Sequence, residues 1–111
     1  MRILIVGSRS ITDFDLSSFV PKEASLIISG GAAGVDTLAE RFADANGISK
    51  LILRPNYAHF GRAAPLKRNE QMVDLADRVV VVWDGVSRGS AHTIRYAQRK
   101  GKCVQIVRAD K

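Results

Sequence analysis

The sequence predicts an α/β fold, a three-layer sandwich around a five-stranded, mostly parallel sheet. Three observations carry this. Short, continuous apolar runs (Ile3–Val6, Leu26–Ile28, Val79–Val82) have the length and character of strands covered on both faces. Between them lie segments with helical period, the clearest being Val35, Leu38, Ala39, Phe42 and Ala43 at the i, i+3, i+4, i+7, i+8 spacing of one buried face. Glycine-bearing turns follow the apolar runs directly, as in strand-to-helix connections.

Taken in order, Arg2 to Val6 forms the first strand and Gly7-Ser8-Arg9-Ser10 the turn after it. Leu16, Phe19 and Val20 predict a short helix that stops before Pro21, because a residue preceding proline is pushed out of the helical region. Ser25 to Ser29 is the second strand. It runs through Gly30-Gly31-Ala32-Ala33-Gly34 into the strongest helix, where Thr37 and Glu40 have capping-box spacing and Asn46-Gly47 is the stop. Leu51 to Leu53 is the third strand, ending at Arg54-Pro55. Asn56 to Ala64 reads as a long irregular loop carrying Tyr57, His59, Phe60 and Arg62, and loops of that length are usually functional. Pro65 suits the first turn of a helix reaching Ala76 with Leu66, Val73 and Ala76 inward. Arg78 to Trp83 is the fourth strand and Asp84 to Ser90 its turn. A helix from Ser90 to Lys100, stopped by Gly101, leads to a last strand over Cys103 to Arg108.

Length and composition bound the function. At 111 residues, 46% hydrophobic and 25% charged, the chain is one globular domain spanning residues 1–111. No apolar run reaches membrane-spanning length and Met1 leads straight into a strand without a signal-peptide pattern, so the expectation is a cytoplasmic protein with no membrane partner. The single cysteine, Cys103, excludes an internal disulfide, and no Cys/His spacing suggests a metal, so neither metal nor cofactor is expected. A formal net charge of +6 permits a polyanionic partner without identifying one.

Right-handed crossovers that wind outward from strand one and then return to its other side give the strand order 3-2-1-4-5. The switch point then lies between strands one and four, where such folds bind ligands beyond the carboxyl ends of the strands. Gly7, Ser8 and Arg9 meet Asp84, Gly85, Ser87, Arg88, Gly89 and Ser90 there, with Gly30, Gly31, Ala32, Gly34 and Asp36 alongside. Glycine turns that open helices present free N–H groups and suit an anion such as phosphate; the same serines also serve as plain helix caps. Arg9 and Arg68 are candidate phosphate or carboxylate forks, or surface arginines; Asn69 is a ligand contact or a loop brace. Asp36 and Asp84 are the candidate acid–base groups. His59 and His92 have no carboxylate at dyad spacing, and Trp83 either stacks on a base or fills the core. There is no G-x-S-x-G elbow, Walker A lysine, zinc signature or G-x-G-x-x-G, which argues against a conventional hydrolase, P-loop ATPase or dehydrogenase.

Four stretches in order, Val6–Arg9, Ser29–Ala39, Pro65–Met72 and Trp83–Ser90, resemble the YspA-like branch of the SLOG superfamily across nearly the whole chain. That superfamily is the Rossmann-like fold shared by Smf/DprA proteins and LOG-type nucleotide phosphoribohydrolases. The resemblance implies loops that bind a nucleotide or nucleotide-derived ligand, and it makes a homodimer an expected partner state. It also implies two alternatives. One is an enzyme processing a nucleotide or nucleoside phosphate, although the glutamate that LOG enzymes carry three residues after their G-T pair is Thr93 here. The other is a single-stranded nucleic-acid-binding module, as in DprA proteins.

Overall fold

The computed structural model describes residues 1–109; the last two residues of the expected 1–111 domain lie outside the described residues. Five strands, β1 (Arg2–Gly7), β2 (Leu26–Ser29), β3 (Ser49–Ile52), β4 (Arg78–Trp83) and β5 (Cys103–Arg108), form one sheet in the order β3-β2-β1-β4-β5. Every neighbouring pair is parallel, so the sheet is fully rather than mostly parallel. Helix α1 (Val35–Ala45) covers one face, and α3 (Ala64–Leu75) and α4 (Arg88–Arg99) cover the other; α2 (Tyr57–Phe60) is a single turn between β3 and α3. The fold is Rossmann-like.

The central strands explain why both faces must be covered. Ile3 and Ile5 of β1 join Val80 and Val82 of β4 in the core under α1, while Leu4, Val6, Val79 and Val81 point into the core under α3 and α4. Side chains on a strand alternate between faces, so an unbroken apolar run feeds two cores at once. Ile3, Leu4, Ile5 and Val79 to Val82 are completely buried.

Several local expectations are corrected. No helix forms around Leu16, Phe19 and Val20. Asp15 Oδ1 instead accepts hydrogen bonds from the Ser17 amide (2.9 Å) and hydroxyl (2.7 Å), a local turn that competes with helical pairing. The apolar residues still reach the α1 core, Leu16 buried and Phe19 and Val20 packed on its edge. The Thr37–Glu40 capping box is absent. Gly34, at φ 74°, is the residue that caps α1, and Thr37 already lies inside the helix with its hydroxyl donating to the Ala32 carbonyl (3.1 Å). Residues 56–63 are not irregular: Asn56 Oδ1 accepts from the His59 amide (3.1 Å) and starts α2, and a 3₁₀ turn over Gly61–Ala63 joins it to α3. In α3 Leu66 faces outward, 39% exposed, and Met72 takes its place beside Val73 and Ala76 in the core. Strand β3 begins two residues before the expected start and α4 opens at Arg88 rather than Ser90.

Candidate functional site

The parallel order leaves a crevice beyond the carboxyl ends of β1 and β4, and there the backbone is tied across the switch point. The Ser8 amide donates to the Val82 carbonyl (3.1 Å), and the buried Ser8 hydroxyl accepts from the Asp84 amide (3.0 Å). Gly7 is required at this crossing because a Cβ would strike the Val82 carbonyl and the Val35 side chain, so β1, β4 and α1 could not close up around it. The result is a cleft of about 440 Å³.

Its lining includes Gly7, Ser8, Arg9, Ala32, Asp36, Arg68, Asn69, Asp84, Ser87, Gly89 and Ser90. Eleven of the expected site residues therefore share one cavity. Gly30, Gly31, Gly34, Gly85 and Arg88 are not among the lining residues, and the glycines have other reasons to be there. Gly34 lets the α1 turn press on the first loop, where a Cβ would collide with the carbonyls of Ser8 and Arg9. The Gly30 carbonyl accepts from Arg68 Nη1 at 2.6 Å. Gly31 and Gly85 lie against the guanidinium groups of Arg54 and Arg108.

The glycine turn before α1 differs from the expected phosphate cradle. The Ala32 amide donates to Asp36 Oδ2 (3.2 Å) and the Gly31 amide to the Ser29 hydroxyl (3.3 Å). A protein carboxylate thus holds the position that a phosphate would need. Asp36 is 6% exposed on the cleft wall. Burial pushes its pKa up, against the lowering effects of the Ala32 amide and of Arg68 and Arg9, with Glu40 adding to the rise.

Asp84 is the opposite case. Its Oδ1 accepts from the Val86 and Ser87 amides, both at 2.9 Å, which folds the 84–87 turn and holds its carboxyl below the usual carboxylate range. Ser10 adds a longer contact to Oδ2 (3.5 Å). This turn delivers the first turn of α4 to the cleft. Ser87 occupies the cap position with no side-chain cap bond, so the N–H groups at the start of α4 keep their donor capacity beside Gly89 and Ser90.

Arg68 enters from α3, 7% exposed. Nη1 donates to the carbonyls of Gly30 and Leu53 (3.2 Å), and Nε donates to Asn69 Oδ1 (2.9 Å). Burial lowers its pKa and the Asp36 carboxylate opposes that shift. Asn69 accordingly braces Arg68 as well as lining the cleft. Among the described residues Nη2 makes no protein hydrogen bond, which leaves one nitrogen of a fixed guanidinium for a ligand.

Sequence reasoning missed Val6, Ser10, Pro65, Leu66 and Thr93 as lining residues. Pro65 and Leu66 form an apolar wall at the start of α3, which accounts for Leu66 being turned away from the core; their position just before Arg68 was the available signal. His92 is not isolated: its Nε2 lies 2.9 Å from Glu70 Oε2, joining α4 to α3 outside the cleft. His59 packs edge-on against Phe60. The Trp83 indole packs on the α3/α4 core and donates to the Ser87 carbonyl (3.1 Å).

Among the described residues no group of three or more His, Cys, Asp or Glu side chains could hold a metal ion, and no helix is long and apolar enough to cross a membrane. No protein-family model matches the chain, and no curated protein matches it in sequence.

Proposed function

We propose that the cleft binds a nucleotide or nucleotide-derived ligand, the reading implied by the resemblance to the YspA-like branch of the SLOG superfamily. One observation carries it. A buried, pre-oriented guanidinium (Arg68) and the uncapped first turn of α4 converge on a cleft whose volume falls within the range of small-molecule sites. The anionic end of the ligand sits at Gly89 and Ser90 with Arg9, away from the Gly30–Gly34 turn, because Asp36 already occupies that turn and rejects a second negative charge. Asp36 and Ser8 then face the polar sugar, and Pro65 with Leu66 offers a flat apolar wall to the base.

The test is thermal unfolding against AMP, ADP, ATP, cyclic nucleotides, NAD, ADP-ribose and a short oligonucleotide. A ligand at about 100 times its Kd stabilises the fold by about 2.7 kcal/mol. Gly89→Leu is the discriminating variant, since a Cβ there meets only Asn69 Nδ2 at 3.9 Å and adds bulk to the cleft without striking the backbone. A shift with the wild type that disappears in this variant is expected. No shift with any nucleotide, or a shift unchanged by Gly89→Leu, overturns the reading.

A second reading, nucleotide hydrolysis, is favoured by Asp36 alone, a desolvated carboxyl with a raised pKa in the cleft. Asp84 is committed to its turn and serves as a loop-forming group. Thr93, at the position of the LOG glutamate, spends its hydroxyl on the Gly89 carbonyl (3.0 Å). Release of a free base from the nucleotide that binds, lost in Asp36→Asn while the thermal shift persists, establishes this reading; no product with the wild type excludes it.

A further inference from the structure

The connection from β3 to α3 carries an aromatic group that the unliganded cleft does not use. Both ends of this connection are fixed at the cleft. The Leu53 carbonyl accepts from Arg68 Nη1 (3.2 Å), and Pro65 and Leu66 line the cavity. Tyr57 stands between these anchors, in α2, and is 60% exposed. After burial and the Asp36 carboxylate, Tyr57 is the next influence on the Arg68 guanidinium, whose charged form it favours. Its hydroxyl therefore lies within electrostatic reach of the cleft wall.

Folding does not account for this side chain. Helix α2 buries no residue, and its caps are local: Asn56 Oδ1 accepts from the His59 amide (3.1 Å) and the Gly61 amide donates to the Tyr57 carbonyl. Among the described residues the Tyr57 hydroxyl makes no hydrogen bond and its ring no stacking or cation–π contact. Other aromatic groups are committed. Phe60 meets the His59 ring edge-on, and Trp83 spends its indole N–H on the Ser87 carbonyl. Tyr96 gives its hydroxyl to Asp74 (3.0 Å) and its ring to Arg99 and Lys100. Among the described residues the cleft lining contains no aromatic side chain. A base resting on Pro65 and Leu66 thus has aliphatic carbon on one face and no ring on the other.

We propose that Tyr57 is the base-recognising residue of the cleft, folding over its mouth to hold the base against Pro65 and Leu66. This inference rests on the nucleotide reading and narrows it. An aromatic side chain meets a base through its π face and tolerates any base, so the contact selects for a planar base and not for its hydrogen-bonding edge. The ligand class is then a base-bearing nucleotide, not a bare sugar phosphate. The two ends of the ligand are held by different parts of the rim, the anion by the start of α4 and the base by α2. With no buried residue of its own, α2 swings without disturbing either core.

The experiment titrates the full chain with AMP, ADP, ATP, cyclic AMP, cyclic GMP, NAD and ADP-ribose, comparing the wild type with Tyr57→Ala and Tyr57→Phe. Unfolding temperatures confirm that both variants are folded. Tyr57→Ala is expected to lose about tenfold in affinity and Tyr57→Phe to stay within about twofold of the wild type, since stacking on a base is a property of the ring. The second readout is the tyrosine ring-proton resonances of the wild type. The chain has 2 tyrosines, so Tyr57→Phe assigns the signals and Tyr96 serves as the reference. Saturation with nucleotide moves the Tyr57 signals upfield and leaves those of Tyr96 in place. A structural role exerted through Arg68 would weaken binding without that upfield shift. Affinity unchanged in Tyr57→Ala, Tyr57→Phe as weak as Tyr57→Ala, or Tyr57 signals that stay still while the wild type binds overturns this inference alone. A wild type that binds no nucleotide of the panel overturns the cleft reading and this inference with it.

Discussion

Two aspartates in one cleft have pKa values moved in opposite directions, and the direction follows from what surrounds each carboxylate. Asp84 is held down by two backbone amides of its own turn. Its contribution to stability is therefore fully present above 3.8, the ordinary value, and is lost as pH falls through the lower folded-state value. Asp84→Ala is expected to lower the unfolding temperature at neutral pH, and the gap to the wild type should close as the pH is taken well below 3.8. A gap that stays constant across that range shows that the amide bonds to Val86 and Ser87 are not what the carboxylate supplies.

Asp36 has the reverse sign. Burial raises its folded-state pKa, so its protonated form favours the fold, and that contribution is lost as pH rises from 3.8 through the folded-state value. Asp36→Asn keeps an acceptor for the Ala32 amide and removes the desolvated charge. Its stability relative to the wild type should therefore rise with pH over that window, as read by unfolding temperatures at paired pH values. A variant that loses ground as pH rises shows that the attraction to Arg68 outweighs desolvation. The sequence made both aspartates candidates through their places beside glycine, Asp36 just after the Gly30–Gly34 turn and Asp84 at the start of the turn that follows β4. It did not separate them, because burial and the Ala32 contact come from packing that spans the chain.

The elements were legible wherever an apolar period was long and undiluted. Strands β1, β4 and β5 and helices α1, α3 and α4 lie within about two residues of their expected bounds. The segment before Pro21 failed because a three-residue Asp15–Ser17 turn outcompetes a helix too short to pay its nucleation cost. Residues 57–63 failed the other way, since one Asn56 side-chain bond suffices to start a turn of helix that carries no periodicity.

The helix starts give a paired prediction. Gly34 precedes α1 at φ 74° with the carbonyls of Ser8 and Arg9 against it, so Gly34→Ala should destabilise by at least about 2 kcal/mol through left-handed strain and the forced separation of the two loops. Gly89 lies in the first turn of α4 with ordinary helical φ and open space, so Gly89→Ala should stabilise the unliganded protein by a few tenths to about 1 kcal/mol. Urea unfolding of the two variants tests both signs. Equal destabilisation would mean that Gly89 is also structurally required, and that its variants cannot isolate binding.

At the scale of the whole molecule, the strand order is what turns scattered loop residues into a site. Order 3-2-1-4-5 followed from the helices alternating with strands, and it brought Ser8, Asp36 and Asp84, up to 76 positions apart, to one cavity. Which loop atoms remain available was not legible. That depended on Asp36 turning back onto Ala32 and on Arg68 being drawn into the carbonyls of Gly30 and Leu53.

The walls of the cleft come from four separate segments: the β1 loop, the glycine turn into α1, the start of α3, and the β4 turn with α4. These are joined above the sheet mainly by side-chain bonds, while the strands below them are locked in two cores. Local opening free energies follow such differences in packing, so a ligand spanning these segments should raise amide protection at the rim without changing the strand interiors. Hydrogen exchange of the protein saturated with whichever nucleotide shifts its unfolding temperature is expected to slow at residues 8–10, 66–69 and 87–90. The opposite end of the molecule, where Pro21, Lys22 and Ser25 face Asn46 and Gly47, provides the internal control and should exchange unchanged. Protection gained there instead of at the rim would place the nucleotide outside the cleft.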